Sequence, residues 1–181
     1  MTTVRLGFVK NTRSYAIFGW IIQAFERYTS GLDASHSFIQ IYMGDSESMI
    51  VESVWPVGKV KPAGKYFSKY EIVESYDFVI DQPASDVLKW CRENIEGKKY
   101  SFSQNIFIGA IGLVMKLFSL SNWDLEKKEF NGRESLNCTE AQIMFLAKFF
   151  NVYPTEGFDN FSVGEARNLV KAVWAIKGGN K

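Results

Sequence analysis

The sequence predicts an α+β fold, in which an antiparallel sheet packs against helices, because strand-like segments are grouped along the chain with helix-like segments on either side. Hydrophobic residues form 46% of the 181 residues and aromatic residues form 15%. This is enough apolar material for one packed core. No internal repeat and no linker rich in Pro, Gly or Ser divides the chain. We therefore predict a single domain over residues 1–181.

Three strands are predicted from runs of β-branched and aromatic residues that lie between turn residues. The first covers residues 36–43 and the second covers residues 48–55, with a turn at residues 44–46 between them. The Pro and Gly residues within 56–64 predict a loop. A third strand is expected within residues 71–80.

Apolar residues at helical spacing predict five helices, at residues 14–29, 83–96, 106–118, 139–150 and 163–176. The last helix follows Ser162, and Glu165 three positions later gives the spacing of a capping box. Gly97 lies just past the end of the helix at 83–96, where a helix often stops. The segment 106–118 is mostly apolar, so we expect a core helix there, with a lid or a lipid-facing surface as the alternative.

Charge and composition exclude several classes of protein. The chain has 21 basic and 20 acidic residues, a balance that argues against a nucleic-acid binder relying on a strong positive field. No secretory signal pattern is recognised and no apolar run reaches the ~18–20 residues that span a bilayer. We expect a cytoplasmic protein without a transmembrane segment, with association with a virion left open.

The two cysteines predict neither a disulfide framework nor a metal site. Two separated cysteines and a single histidine cannot supply the four ligands of a tetrahedral zinc site. We therefore expect no metal and no cofactor. Cys91 lies in the middle of a predicted helix on its apolar face, so it is expected to be a core residue.

Cys138 is placed differently, at the predicted start of a helix. Asn137 is a favoured N-cap residue, and Glu140 completes the spacing of a capping box. A thiol at the first helical position lies near unpaired backbone N–H groups and the positive end of the helix dipole. Both favour the thiolate, which is the nucleophilic form. The same N–H groups could stabilise an oxyanion.

His36 is the only histidine, so any cysteine–histidine chemistry must use it. If the first two strands form a hairpin, counting from the turn places Glu52 near Ile39, about one diagonal step from His36. An acid bonded to one ring nitrogen would fix the tautomer and support the imidazolium. His36 and Glu52 could also be ordinary packed or solvated residues, and the spacing alone does not decide between these readings.

Four stretches follow one another in the sequence: a helix followed by Ser35-His36 and an apolar strand, the strand around Glu52, the segment Gly97 to Phe102, and the helix start at Cys138. In this order they resemble the circularly permuted branch of the papain-like fold, which includes NlpC-type cell-wall peptidases, YiiX/YebB-like proteins and, more distantly, lecithin retinol acyltransferases. The resemblance extends over roughly residues 1–165. Asn137 and Thr139 depart from the residues usual on either side of the cysteine, but neither departure removes a catalytic group.

The resemblance implies a role for each candidate site residue. Cys138 would be the nucleophile, His36 the general base and acid, and Glu52 the residue that orients His36. Tyr100 would line the site and support the oxyanion, although a packed tyrosine is equally compatible with its position. The order of histidine, acid and cysteine is the reverse of that in papain.

The predicted function is that of a thiol hydrolase that cleaves an amide bond in a peptide, a cell-wall peptide or an isopeptide. Two alternatives stay open. One is a lipid acyl hydrolase or acyltransferase that uses the same three residues. The other is a binding or structural module, for example in a virion, that keeps the fold without turnover. The sequence predicts neither the substrate nor the oligomeric state.

Overall fold

The computed structural model of the chain describes residues 1–12, 17–44, 47–101, 135–154 and 161–177. Five strands form one sheet: β1 (Thr2–Asn11), β2 (His36–Tyr42), β3 (Ser48–Glu52), β4 (Lys59–Pro62) and β5 (Tyr70–Ile80). The helices are α1 (Ile17–Ser30), α2 (Ala84–Asn94), α3 (Cys138–Phe150) and α4 (Val163–Ile176). Two short strands, β6 (Lys99–Tyr100) and β7 (Ser135–Leu136), pair in parallel. The predicted α+β class is confirmed.

The sheet has the order β4-β3-β2-β1-β5, and all its neighbouring strands are antiparallel. Its centre includes β1, which the sequence analysis did not predict. The signal was present, because Val4, Leu6 and Phe8 alternate with other residues and all three are fully buried. β1 pairs with both β2 and β5, so this strand joins the hairpin to the rest of the sheet.

The predicted hairpin is present, but its pairing register places Glu52 one residue away from the predicted position. Ile39 pairs with Val51 and Tyr42 pairs with Ser48, so the same register sets Glu52 opposite position 38 rather than 39. β3 ends at Glu52, earlier than the predicted end at residue 55. The predicted loop at 56–64 contains β4, a short strand whose pairing with β3 covers Met49 to Glu52.

Both faces of the sheet are covered near β2, by different groups of side chains. One face packs against the helices, with buried residues that include Leu6, Ile39, Val51 and Phe145. Successive strand residues point to opposite faces, and the other face carries a smaller cluster. That cluster is Val9, Phe38, Ile50, Ala63 and Tyr66. His36 and Phe38, two residues apart on β2, belong to the same face.

The helices begin and end close to the predicted positions. α4 starts after Ser162, whose side chain accepts a hydrogen bond from the Glu165 N–H in a complete capping box. In α2 the predicted apolar face is buried, and Gly97 follows with a φ of 76°. The predicted helix at 106–118 lies outside the described residues, as do residues 14–16 of the first helix and 45–46 of the hairpin turn. No helix in the described ranges is long and apolar enough to cross a membrane.

A buried carboxylate joins the first and last helices. Glu26 on α1 is 2% exposed, and its two oxygens accept hydrogen bonds from the backbone N–H groups of Val163 and Gly164, each at 2.9 Å. These N–H groups belong to the first turn of α4 and have no acceptor within the helix. The negative charge also lies at the positive end of the helix dipole. Burial raises the pKa of Glu26, while these hydrogen bonds oppose the rise.

Replacing Glu26 with glutamine is expected to lower the free energy of unfolding by about 1–3 kcal/mol. The amide keeps one acceptor oxygen but presents an NH₂ group to the second backbone N–H, which is then left without a partner. Urea unfolding followed by circular dichroism measures the change. Glu93→Gln, an exposed substitution on α2 with the same chemistry, is the control. Equal stabilities of the two variants would contradict this role of Glu26.

Candidate active site

Cys138 is the first residue of α3, as predicted from the capping residues. The Asn137 side chain accepts a hydrogen bond from the Glu140 N–H at 2.8 Å, and the Glu140 carboxylate accepts one from the Asn137 N–H. These bonds satisfy end groups of the helix but leave the N–H groups of Cys138 and Thr139 without an acceptor in the helix. The thiol therefore lies beside backbone donors at the positive end of α3.

His36 and Glu52 are joined by a direct hydrogen bond. His36 is the first residue of β2 and Glu52 is the last residue of β3, and His36 Nε2 lies 2.9 Å from Glu52 Oε2. Both residues are buried, with 8% and 2% exposed. An ionised carboxylate can only accept, so Nε2 carries the proton. Glu52 was predicted to lie about one diagonal step from His36 across the hairpin, and in the structure the two side chains are in direct contact.

The thiol of Cys138 interacts with the same imidazole, and this interaction raises the pKa of His36 and lowers that of the thiol. Because Nε2 is used by Glu52, the nitrogen available to the sulfur is Nδ1. The structure thus brings Cys138, His36 and Glu52 together in one cluster, with the ring in the middle. Cys138 is 4% exposed, so the cluster is largely enclosed.

The electrostatics of this cluster favour its charged form. Burial lowers the pKa of His36, but Cys138 and Glu52 outweigh it and raise that pKa to about 10. For Cys138, burial acts against ionisation, while His36 and the Ser37 groups lower the pKa below its ordinary 9.0. Burial also opposes the charge of Glu52, yet His36 and Lys61 lower its pKa to about 2. The favoured state is a thiolate, an imidazolium and a carboxylate.

Cys91 provides an internal comparison, because it is also buried but burial is the only influence on its pKa among the described residues. It lies on α2 in the main core, and burial raises the pKa of its thiol to about 12. The contrast with Cys138 shows that burial alone suppresses the thiolate. The neighbours of Cys138 reverse that effect.

Three hydrogen bonds, from two side chains, hold the cysteine helix against the sheet. Ser37, next to His36 on β2, donates from Oγ to the Cys138 carbonyl at 2.8 Å. One turn along α3, Gln142 Nε2 donates to the carbonyls of Gly7 at 3.1 Å and Phe38 at 2.8 Å. The sequence analysis did not identify either residue. A polar residue one turn after the cysteine, directly before the apolar run from Ile143 to Ala147, was the available signal for Gln142.

A second group of residues around the site was also missed in the sequence. Lys61 donates to Glu52 Oε1, and the Tyr70 ring lies beside the His36 ring with 5.8 Å between centroids. Tyr66 packs on Tyr70, with 4.7 Å between the ring centroids. Burial and the charge of Glu52 raise the pKa of Tyr66. Lys61 falls within the segment predicted to be a loop, so no sheet neighbour could be assigned to it from the sequence.

Tyr100, the fourth predicted site residue, lies on β6. It pairs with Leu136 on β7, two residues before Cys138. The Leu136 carbonyl also accepts hydrogen bonds from Ser53 Oγ at 2.7 Å and from the Ser101 N–H at 3.2 Å. The backbone around Tyr100 therefore supports the segment that leads into the cysteine, while its role in oxyanion binding stays a prediction.

Taken together, these groups can perform nucleophilic chemistry. A thiolate is the attacking form of cysteine, and the imidazolium beside it is a proton donor. The N–H groups of Cys138 and Thr139, which have no acceptor within the helix, can donate hydrogen bonds to a developing oxyanion. No protein-family model matches the chain, and no curated protein matches it significantly.

We expect the thiol of Cys138 to ionise below its ordinary pKa of 9.0, because His36 stabilises the charge of the thiolate. Ultraviolet absorbance of the thiolate measures this directly in the variant Cys91→Ala, without requiring a reagent to enter the site. The matched variant Cys138→Ala should show no thiolate until about pH 12, the raised pKa of Cys91. Adding His36→Ala to Cys91→Ala should move the transition of Cys138 upward. Identical transitions for the two thiols would contradict the interpretation.

Glu52 is expected to make the stability of the protein depend on pH in acid. Its pKa is about 2 in the folded protein against an ordinary 4.5, so the unfolded chain binds the proton first as the pH falls. The stabilisation by Glu52 is therefore complete above about pH 4.5 and is lost as the pH falls towards 2. The raised pKa of His36 has the opposite effect on stability. The stabilisation by His36 is complete below about pH 6.5 and is lost as the pH rises towards 10, so it does not change within this acid range.

Urea unfolding at a series of acid pH values should show a smaller loss of stability in Glu52→Gln than in the wild type, since the amide does not titrate. Glu96→Gln, an exposed substitution, should follow the wild type. If Glu52→Gln and the wild type lose stability in parallel, the carboxylate does not have the low pKa described here.

Proposed function

We propose that the protein is a thiol hydrolase that cleaves an amide bond through an acyl-enzyme on Cys138. The observation that carries this proposal is the position of the His36 ring, which is hydrogen-bonded to Glu52 at 2.9 Å and interacts with the Cys138 thiol so that the pKa of the thiol is lowered. A base that is itself oriented by a third group is the arrangement that nucleophilic catalysis uses. A capped helix start holds the nucleophile.

In the first half of the reaction, the Cys138 thiolate attacks the carbonyl carbon of the substrate amide. The carbonyl oxygen becomes an oxyanion, which the N–H groups of Cys138 and Thr139 stabilise. As the C–N bond breaks, the His36 imidazolium gives its proton to the leaving nitrogen. An amine departs, and the acyl group stays on Cys138 as a thioester.

In the second half, neutral His36 takes a proton from water while the water oxygen attacks the thioester. The C–S bond breaks, the carboxylic acid is released, and the thiolate and imidazolium are restored. Glu52 holds Nε2–H in both halves, so the ring keeps Nδ1 directed at the thiol or the water. His36 is thus the acid in one step and the base in the next.

We further propose that the fold belongs to the permuted papain-like branch. Support comes from the order of histidine, acid and cysteine along the chain, from the strand positions of His36 and Glu52, and from the cysteine at a helix start that packs on the histidine strand. The substrate class that follows is a peptide, a cell-wall peptide or an isopeptide. Tyr100 is proposed as a residue at the edge of the site.

A thiol-directed probe that carries a peptide and an electrophilic carbonyl tests the proposal. The wild type and the matched control Cys91→Ala should be labelled at Cys138. Cys138→Ala should not react, and His36→Ala should react at least about a hundredfold more slowly, since general acid–base groups contribute ~10²–10⁴ in rate. Peptide mapping by mass spectrometry identifies the labelled thiol. Equal labelling of Cys138 and Cys91, or indifference to the loss of His36, would refute a catalytic role.

Hydrolysis of a matched amide and ester with the same acyl group then tests the bond type. Turnover of the amide that disappears in Cys138→Ala supports an amidase or peptidase. Turnover of long-chain acyl esters alone would replace the proposal with a lipid acyl hydrolase. A labelled thiol without turnover of either substrate would favour a binding module.

A further inference from the structure

In the described part of the chain, the two oxygens of the Glu52 carboxylate contact different side chains. Oε2 contacts His36 Nε2, whereas Oε1 accepts a hydrogen bond from Lys61 Nζ. The Glu52 side chain is 1% exposed, so little of it reaches water. With one oxygen bound on each side, the plane of the carboxylate is fixed, and so is the direction in which it presents Oε2 to the ring.

Lys61 reaches Glu52 from the neighbouring edge strand. It pairs with Ile50 on β3, which places it diagonally across from Glu52 on the same face of the sheet. Its ammonium group also lies 5.1 Å from the centre of the Tyr66 ring, within the range of a cation–π contact. The Lys61 side chain is 38% exposed, so this residue connects a buried carboxylate to the protein surface.

The charges of the cluster balance only when Lys61 is included. In the favoured state, the thiolate of Cys138 is neutralised by the imidazolium of His36, and the carboxylate of Glu52 is neutralised by the ammonium of Lys61. When His36 gives up its proton, Glu52 keeps a counterion. Without Lys61, a buried carboxylate would then have no cation beside it, which is a costly state.

We propose that Lys61 is a positioning residue that holds Glu52 ionised and directed at His36 throughout the reaction. This inference rests on the proposed function for its catalytic meaning, but the contact that it concerns is independent of turnover. Lys61 touches neither the thiol nor the reacting atoms in the described contacts, so it acts through Glu52. It was not among the residues that the sequence pattern indicated.

Several titratable groups lie around Glu52 or around the His36 ring that it contacts. They are His36 on β2, Lys59 and Lys61 on β4, Tyr66 after β4, Tyr70 on β5 and Cys138 on α3. His36 and Lys61 are the groups that lower the pKa of the Glu52 carboxylate. Lys59 pairs with Glu52 in the strand register but is exposed, which makes it a matched control.

The test follows the ring signals of His36 by NMR as the pH is lowered. Because His36 is the only histidine, its ring gives one set of signals, and these report protonation of the carboxylate that it contacts. The shift of these signals that accompanies protonation of Glu52 is the acid step. In Lys61→Met it should occur about one pH unit higher than in the wild type, since a cation beside the carboxylate has been removed. Lys61→Arg should restore the wild-type position, and Lys59→Met should not change it.

Circular dichroism defines the pH range over which each variant is folded, and Lys61→Gln takes the place of Lys61→Met if the latter does not fold. An acid step in the Lys61 variant that coincides with those of the wild type and Lys59→Met would overturn the proposal. Labelling of Cys138 by the peptide probe is measured on the same samples. A shifted step with an unreactive Cys138 would refute the hydrolase while leaving the role of Lys61 in place.

Discussion

The hydrogen bond from Ser37 Oγ to the Cys138 carbonyl joins the two elements on which the site depends. Ser37 lies next to His36 on β2, and Cys138 opens α3, although about a hundred residues separate them in the chain. The bond therefore sets where the start of the helix lies along the strand. His36 precedes Ser37 on the strand, and the thiol belongs to the residue whose carbonyl Ser37 binds. The position of the helix start along β2 therefore also brings the imidazole and the thiol together. Gln142 holds the next turn of the same helix to the same sheet.

The helix start and the sheet contribute different parts of the chemistry. α3 supplies backbone N–H groups and the positive end of its dipole, which favour a negative sulfur. The hairpin supplies His36 and Glu52, whose contact depends on a pairing register rather than on any local sequence preference. A shift of that register by one residue would turn Glu52 to the other face. The thiolate at Cys138 thus depends on a local feature and on a long-range one together.

This difference explains what the sequence could predict. The capping residues Asn137 and Glu140 act within one turn, so the start of α3 was predicted to the residue. The strand at β5 and the last helix have strong local patterns and were also predicted. β1 was missed although Val4, Leu6 and Phe8 alternate, and its position at the centre of the sheet follows from pairing with distant strands.

Some residues of the site could not be predicted from the sequence, for the same physical reason. Lys61 bonds to Glu52 only because β4 pairs with β3, and a four-residue strand between prolines and glycines resembles a loop in sequence. Tyr70 lies beside the His36 ring and Tyr66 packs on Tyr70, although both residues follow β4 in the chain and are distant from His36 in sequence. Nothing in their local sequence distinguishes them from packed aromatic residues. The polar centre of the site was predictable, whereas its supporting neighbours required the fold.

A purely structural role does not account well for the composition of this cluster. Ionised groups that are buried at His36, Glu52 and Cys138 each lose hydration, and apolar side chains of similar volume would fill such a space without that loss. The main core nearby already consists of such residues, and Cys91 shows what a thiol does there when it only packs. The charged arrangement has a clear use if the sulfur must attack and the ring must exchange a proton. The free energy spent on burying these charges therefore favours chemistry at Cys138 over packing alone.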